Sequence, residues 1–369
     1  MFPEIITALS RIRWLFVIAR NSSFTYKGKA VDVKQVGREL GVRYLLEGSV
    51  RKGGNRVRIT AQLIDALNGT HLWADHFDGS LEDVFELQDK VAVTVAGVIE
   101  PALQAAETAR SASRPTADLT AYDLYLRAFP HSMSQERNRI AQALDILGLA
   151  IARDPHYGPA LALAAFCHHQ IVNNGWFEDR EASARTALDL GRRAVRAGDD
   201  DPGVLANAAF VLGFFGEDMN ATLALMDHCL AINPSFAFGW FQSGMLRLFA
   251  GQPELAIRHF EISLRLNPRD SMAGRIVTGI AIGLFMQRRF EEAAAKLVVS
   301  LEALPSFTTT YRFLASSYAH MGRLAEARQI VERLQTLTPV VVPMLTNFRN
   351  PEHRELFLSG LRLAVGKEP

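Results

Sequence analysis

The chain has 369 residues, of which 49% are apolar and 21% charged, the balance of a core-forming protein with room for two or three domains. A net charge of +1 gives no overall pull toward DNA, RNA or an anionic membrane. Two cysteines, Cys167 and Cys229, fall in apolar helical patterns, which excludes a disulfide framework and reads as buried free thiols in a reducing compartment.

In chain order, a helical pattern beginning at Glu4 is followed by the apolar run WLFVIA, residues 14–19. Arg11 and Arg13 interrupt what precedes it, so it is too short for a secretory signal or a membrane span. The chain reads as cytoplasmic, and the run reads as a strand. The stretch VDVKQVGRELG is expected as a helix closed by Gly41. Three strands of a meander follow. YLLEGSV turns at Lys52–Asn55 into a strand in which Val57, Ile59, Ala61 and Leu63 alternate with polar residues. Asn68-Gly69, a pair that favours a two-residue type I′ turn, then leads into HLWADHF. Leu81–Leu103 is an amphipathic helix entered by Ser80, and the small, polar residues 107–118 read as a linker.

Beyond the linker the prolines keep time. Pro155, Pro202, Pro234, Pro268, Pro305 and Pro339 end helical runs at intervals of 47, 32, 34, 37 and 34 residues, a period near that of a helix–turn–helix solenoid. In the unit Ser235–Pro268 the first helix carries Trp240, Gly244 and Leu248, Gly251 breaks it, and the second carries Leu255, Ala256, Phe260 and Leu264. Small residues let helices approach, aromatics fill the gaps and proline stops the second helix. The last unit repeats this with Tyr311, Leu314, Ala315, Tyr318, Gly322, Ala327 and Pro339. The unit ending at Pro305 has about three extra residues before Phe290, and the 47-residue interval calls for a longer loop around residues 173–181. The unit before Pro155 lacks the turn glycine. After Pro339 an irregular apolar stretch precedes the helical pattern PEHRELFLSGLRLAVG, expected to cap the array.

These positions resemble the tetratricopeptide repeat, with about six units over residues 119–343 and a capping helix in 344–369. Residues 1–106, from FVIARNSSFTYKGKAVDVKQVGREL to HLWADHFDG, resemble the TolB amino-terminal-like domain that lies between the cyclase domain and the repeats of rhizobial-type class III adenylate cyclases. The fold class is therefore expected as an α+β amino-terminal domain, cut short at its start, followed by an all-α tetratricopeptide-repeat solenoid. The resemblance implies a further strand ahead of Glu4. Its loss would expose a sheet edge for self-association. It also implies an accessory role: a non-catalytic protein-interaction or regulatory module. The paired metal-binding aspartates of a class III cyclase are not in the sequence, so no enzyme activity and no cofactor are expected. Two alternatives stay open. One is a regulatory subunit or fragment serving a cyclase catalytic domain in trans; the other is a fragment of a winged-helix-type transcriptional regulator, in which similar regions also occur.

The remaining chemistry candidates read as plain packing or capping. His71 and Asp75 share a strand face while His76 points away, and Cys167, His168 and His169 fan around a helix, so neither group converges on a metal. Asp199–Asp201 reads as helix capping, and Lys52–Asn55 as a turn rather than a phosphate cradle. The resemblance implies a concave wall of first helices that binds a protein or peptide partner, while the net charge and the lack of a long apolar run lead to no expectation of a nucleic-acid or membrane partner. The matching groove positions are Phe238, Phe241, Met245 and Phe249, then Arg275, Arg312 and His320, suited to an apolar segment with acidic groups. The rival reading is that these side chains pack against the next repeat or the capping helix. Phe241 follows Trp240 and points about 100° away from it. With Trp240 in the packing position, Phe241 is expected on the open wall, where replacement is cheap.

Overall fold

The structure, a computed structural model, describes residues 2–18, 20–26, 31–80, 82–112, 119–134, 136–198, 200–267, 273–343 and 347–366. It forms two compact units, residues 1–113 with 233–235, and residues 114–232 with 236–369.

The first unit runs α1 (Phe2–Leu9), α2 (Arg20–Ser23), a 3-10 turn (Phe24–Tyr26), α3 (Val33–Leu40), β1 (Tyr44–Gly53), β2 (Arg56–Asp65), β3 (Thr70–Ser80) and α4 (Val84–Ala112). The strands form one antiparallel sheet in the order β1-β2-β3. Alternation in β2 decides which face is covered: Val57, Ile59, Ala61 and Leu63 are buried against Leu87, Val91, Val95 and Ile99 of α4. On the opposite face Arg58 grips Asp78 of β3 through two hydrogen bonds of 2.7 and 2.8 Å. Helix α3 starts where the Asp32 side chain accepts from the Lys34 N–H and stops at Gly41, φ 65°.

Three local expectations are corrected. Residues 14–18 form no strand, and Phe16 is 87% exposed. No described strand offers them a ladder, without which an extended backbone gains nothing over water. Asn68-Gly69 is not a two-residue type I′ turn. Four residues, 66–69, join β2 to β3, and of the Asn68-Gly69 pair only Gly69 has positive φ, at 81°. Asp65 organises this loop instead: its side chain accepts from the Leu67 N–H at 2.9 Å and its carbonyl from the Gly69 N–H at 2.8 Å. The expected linker is helical through Ala112; its remaining residues, 113–118, lie outside the described set. The helix is held to its end by Glu107, which is 3% exposed, accepts from the Tyr44 hydroxyl at 2.7 Å and pairs with Arg43 and Arg110. Burial opposes its ionisation, but hydrogen bonds from Arg110, Tyr44 and Arg43 outweigh that and hold its carboxyl below the usual range.

The second unit is an all-α solenoid of tetratricopeptide type. Its antiparallel pairs are α5 (Ala121–Ser132) with α6 (Arg137–Arg153), α7 (Gly158–Asn174) with α8 (Arg180–Ala197), and α9 (Pro202–Phe214) with α10 (Met219–Ile232). Then come α11 (Ala237–Phe249) with α12 (Pro253–Leu266), α13 (Ala273–Met286) with α14 (Phe290–Ala303), and α15 (Thr308–His320) with α16 (Leu324–Gln335), before a last helix α17 (Pro351–Ala364). Phe260 of α12 shows why the small positions are small. A Cβ on Gly244 or on Gly279 would stand 2.5 Å from its ring. At the hairpin turns Gly251 and Gly322 take φ of 78° and 76°, and Arg288 takes the matching left-handed position at 60°.

The repeat reading needs two adjustments. The 47-residue interval is absorbed by longer helices, 17 residues in α7 and 18 in α8, and the loop between them is only residues 175–179. Helix α7 is buried on nearly all sides, so every added turn gains packing. Pro202 begins α9 rather than ending α8, and Asp201 caps that start by accepting from Gly203 and Val204. Asp199, and Pro268 with the connection to α13, lie outside the described residues.

The solenoid closes on itself. The Thr308 hydroxyl of α15 donates to Oδ1 of Asn174 of α7 at 3.3 Å, and Arg275 of α13 donates to the Met133 carbonyl beyond α5 at 3.1 Å. From Thr338 the chain returns across the resulting mouth. Thr338 donates to the Asn174 carbonyl at 3.3 Å, and Arg349 donates from its side chain to the Gly213 and Glu217 carbonyls and from its N–H to the Phe249 carbonyl. Helix α17 then packs on α15, with Phe357 stacked on Phe313 at 4.1 Å. This returning segment, described over residues 338–343 and 347–349, is a strap.

Candidate functional site

First helices of a helical-hairpin array share one wall because each pair repeats the same crossing. Here α7, α9, α11, α13 and α15 converge on a cavity of about 320 Å³, roofed by Val340, Pro343, Asn347 and Phe348 of the strap. Phenylalanine is the commonest residue of the described lining, ten of 27. The residues four apart that face inward, Phe210 and Phe214 on α9, then Phe241, Met245 and Phe249 on α11, put aromatic rings at two levels.

Of the seven residues expected along a groove, Phe241, Met245, Phe249, Arg275 and Arg312 line this cavity. Two do not. Phe238 packs edge-on to Phe166 at 6.3 Å and against Phe241 at 5.9 Å. His320 stacks on Phe290 at 4.9 Å, and its Nε2 lies 2.7 Å from the Leu356 carbonyl, so it faces the capping helix. The expectation that Phe241 stands on an open wall is also corrected. It is 9% exposed and 6.0 Å from the fully buried Phe260 ring, while Trp240 is only half-buried, edge-on to His259 at 4.8 Å. Closure of the solenoid and the strap over it removes the open wall that an unclosed array would have.

The sequence reading missed His169, Phe166, Phe210 and Phe214. The signal was available, since Phe166 and Gln170, and Phe210 and Phe214, repeat the four-residue spacing of Phe241 and Met245 on earlier hairpins. His169 is enclosed by rings, with Phe214 at 4.3 Å and Phe210 at 4.8 Å, and its Nδ1 has no hydrogen-bond partner. Burial, then the charge of Arg275, pushes its pKa down to about 3, so the imidazole is neutral.

Charge in the cavity is one-sided. Arg180, Arg275 and Arg312 line it, and no Asp or Glu is among the described lining residues. Arg275 lies over the Phe307 ring at 5.6 Å. Arg312 is 3% exposed and donates to the Val340 carbonyl at 2.8 Å and to the Thr308 hydroxyl at 3.3 Å, both neutral, while its Nε has no partner. Burial lowers its pKa to about 10, which still leaves it charged at neutral pH.

The other chemistry candidates stay apart. Cys167 is buried, which pushes its thiol up to about 12, and Cys229 donates to the Pro202 carbonyl at 3.1 Å. Among the described residues no three His, Cys, Asp or Glu side chains gather as metal ligands, and no helix is long and apolar enough to cross a membrane.

Comparison with known proteins adds a relative. A protein named putative adenylate cyclase 3, from Rhizobium meliloti strain 1021, is 41% identical over 199 residues, 54% of this chain and 34% of that protein. The chain thus spans about a third of the length of that relative. Over that part of its length the chain is similar to a protein named as an adenylate cyclase. No protein-family model matches the chain. Among solved structures, a tetratricopeptide repeat protein from Parabacteroides merdae aligns with TM-score 0.39 and 17% identity over 67% of this chain and 87% of that one. A thermophilic tetratricopeptide protein from Thermus thermophilus aligns with TM-score 0.37 and 21% identity over 49% and 91%. The fold assignment rests on the helix pairing itself.

Proposed function

We propose that the chain is a non-catalytic regulatory and protein-interaction module of the kind that accompanies adenylate cyclases. In this reading the first unit is a TolB amino-terminal-like domain and the inner face of the solenoid takes an extended segment of a protein partner. The observation that carries the proposal is the strap: Val340, Pro343 and Phe348 of a stretch without regular secondary structure already lie on that face, held by the ring contact of Phe348 with Phe249, by the Arg349 N–H on the Phe249 carbonyl and by Arg312 on the Val340 carbonyl. A face that holds such a segment in cis has the donors and rings to hold one in trans. The relationship to putative adenylate cyclase 3 supports the regulatory setting.

Two measurements test it. The full chain, given ATP or GTP with Mg²⁺ or Mn²⁺, should make no cyclic nucleotide; turnover that an internal mutation abolishes would overturn the non-catalytic reading. A fluorescent peptide of residues 337–350 should bind saturably to the full chain carrying Phe348→Ala and Arg349→Ala, and more weakly to the unmodified chain, whose own strap competes at high effective concentration. Absence of binding to the altered chain would remove the support for segment recognition.

A further inference from the structure

The strap leaves space beneath it. Between the first helices and the strap residues Val340, Pro343, Asn347 and Phe348 lies a cavity of about 320 Å³, at the small-molecule end of ligand-pocket sizes. Its rings supply apolar and aromatic surface on several sides, while its only fixed charges, among the described lining residues, are positive.

Arg312 is the informative residue. A guanidinium taken out of water normally has a carboxylate partner, because neutral acceptors offset only part of the lost hydration. Among the described residues no carboxylate lies within ion-pair distance of Arg312, and its acceptors are one carbonyl and one hydroxyl. The unpartnered Nε is buried in a side chain that lines the cavity. His169, neutral and also lacking a partner at Nδ1, lines it as well, and Gln170 adds a polar group.

We infer that this cavity binds a small organic anion with an apolar body, its carboxylate or comparable headgroup at Arg312 and its body among the phenylalanines of α9 and α11. The headgroup supplies the missing counter-charge, and a planar anionic oxygen pair suits the planar donor fork of a guanidinium. Because Arg312 donates to Val340 and the strap roofs the cavity, such a ligand also holds the strap in place. The inference deepens the regulatory reading by giving the module a chemical signal, and it rests on that reading only for this consequence. Binding of the anion is independent of any partner peptide.

The test uses the full chain, with decanoate and 4-phenylbutyrate as probes and decanol as the uncharged control, read by isothermal titration and thermal shift. At least one acid should bind saturably at one per chain and raise Tm, with decanol about tenfold weaker or more, the size of a lost charge-assisted hydrogen-bond pair. Arg312→Gln should lose that preference for the acid. Met245→Trp, which fills the cavity and keeps Arg312, should abolish binding of both acids, and it serves if Arg312→Gln does not fold. Absence of saturable binding by either acid, equal binding of decanol, or binding that survives Met245→Trp overturns the inference. The peptide titration above reports on the partner face separately, so either proposal can fail alone.

Discussion

Phe348 stands edge-on to Phe249, ring centroids 5.5 Å apart and planes at 81°, while the N–H of the next residue, Arg349, donates to the Phe249 carbonyl at 2.8 Å. One aromatic contact and one main-chain bond therefore fasten the strap at the end of α11. Phe348→Ala should release this fastening. The Arg349 amide should exchange with deuterium faster by orders of magnitude, and global stability should fall by about 3 kcal/mol, the range for a buried Phe→Ala. Unchanged exchange at Arg349 would mean that the strap is held elsewhere.

Neighbouring residues on α11 set a second test. Phe241 is 9% exposed and touches the ring network, whereas Trp240 is half-buried on the outer side. Phe241→Ser should cost about 3 kcal/mol or more in urea denaturation and Trp240→Ser about 1–2 kcal/mol. The opposite order would restore the open-wall assignment of Phe241.

Acid should destabilise the solenoid through His169. An unfolded imidazole takes up a proton near pH 6.5, but the buried one does so only near 3. Below 6.5 the unfolded state therefore binds more protons, and stability that is complete above that pH is lost as pH falls. At pH 5 the loss from this residue alone is about 2 kcal/mol. His259, pushed down to about 4 by burial and then by Arg247, acts in the same direction. His169→Phe, placed among Phe166, Phe210 and Phe214, should shrink the difference in urea midpoint between pH 7.5 and pH 5. An equal difference in wild type and variant would assign the acid sensitivity to other groups.

In the first unit, Val50 on β1 pairs with Ile59, shares its core-facing side and is nonetheless 46% exposed. Strand β1 has no described neighbour on its outer side. Such an edge invites pairing with a second copy, and a lysine discourages it. Concentration-dependent association in sedimentation velocity should weaken in Val50→Lys with little change in Tm. A wild-type chain that sediments as a monomer throughout would rule out the edge as a contact.

What the sequence disclosed follows from range. Helix stops and small-residue crossings are decided within one hairpin, so Gly244, Gly251, Ala256 and Phe260 announced the repeat on their own. Alternation from Val57 to Leu63 likewise fixed the buried face of β2. Closure was not legible, because whether Thr308 meets Asn174 depends on small rotations summed over several hairpins, and no residue records that sum. The burial of Phe241, the turning away of His320 and the cavity all follow from closure, so they were hidden with it. Residues 14–18 misled for a related reason: their β-propensity is local, but a strand exists only with a partner.

An open helical array has contacts only between neighbours, so it can fray from its ends and unravel in stages. Thr338 hydrogen-bonds to Asn174 across 164 residues of chain, and Arg349 to Gly213 across 136. Those bonds tie the last part of the array to its early hairpins, and neither end can peel away without the other. The second unit should therefore melt in a single cooperative transition, with coincident curves from probes placed at α7 and at α15, and it should fold slowly for an all-helical protein, since its distant contacts carry a large loop-closure entropy.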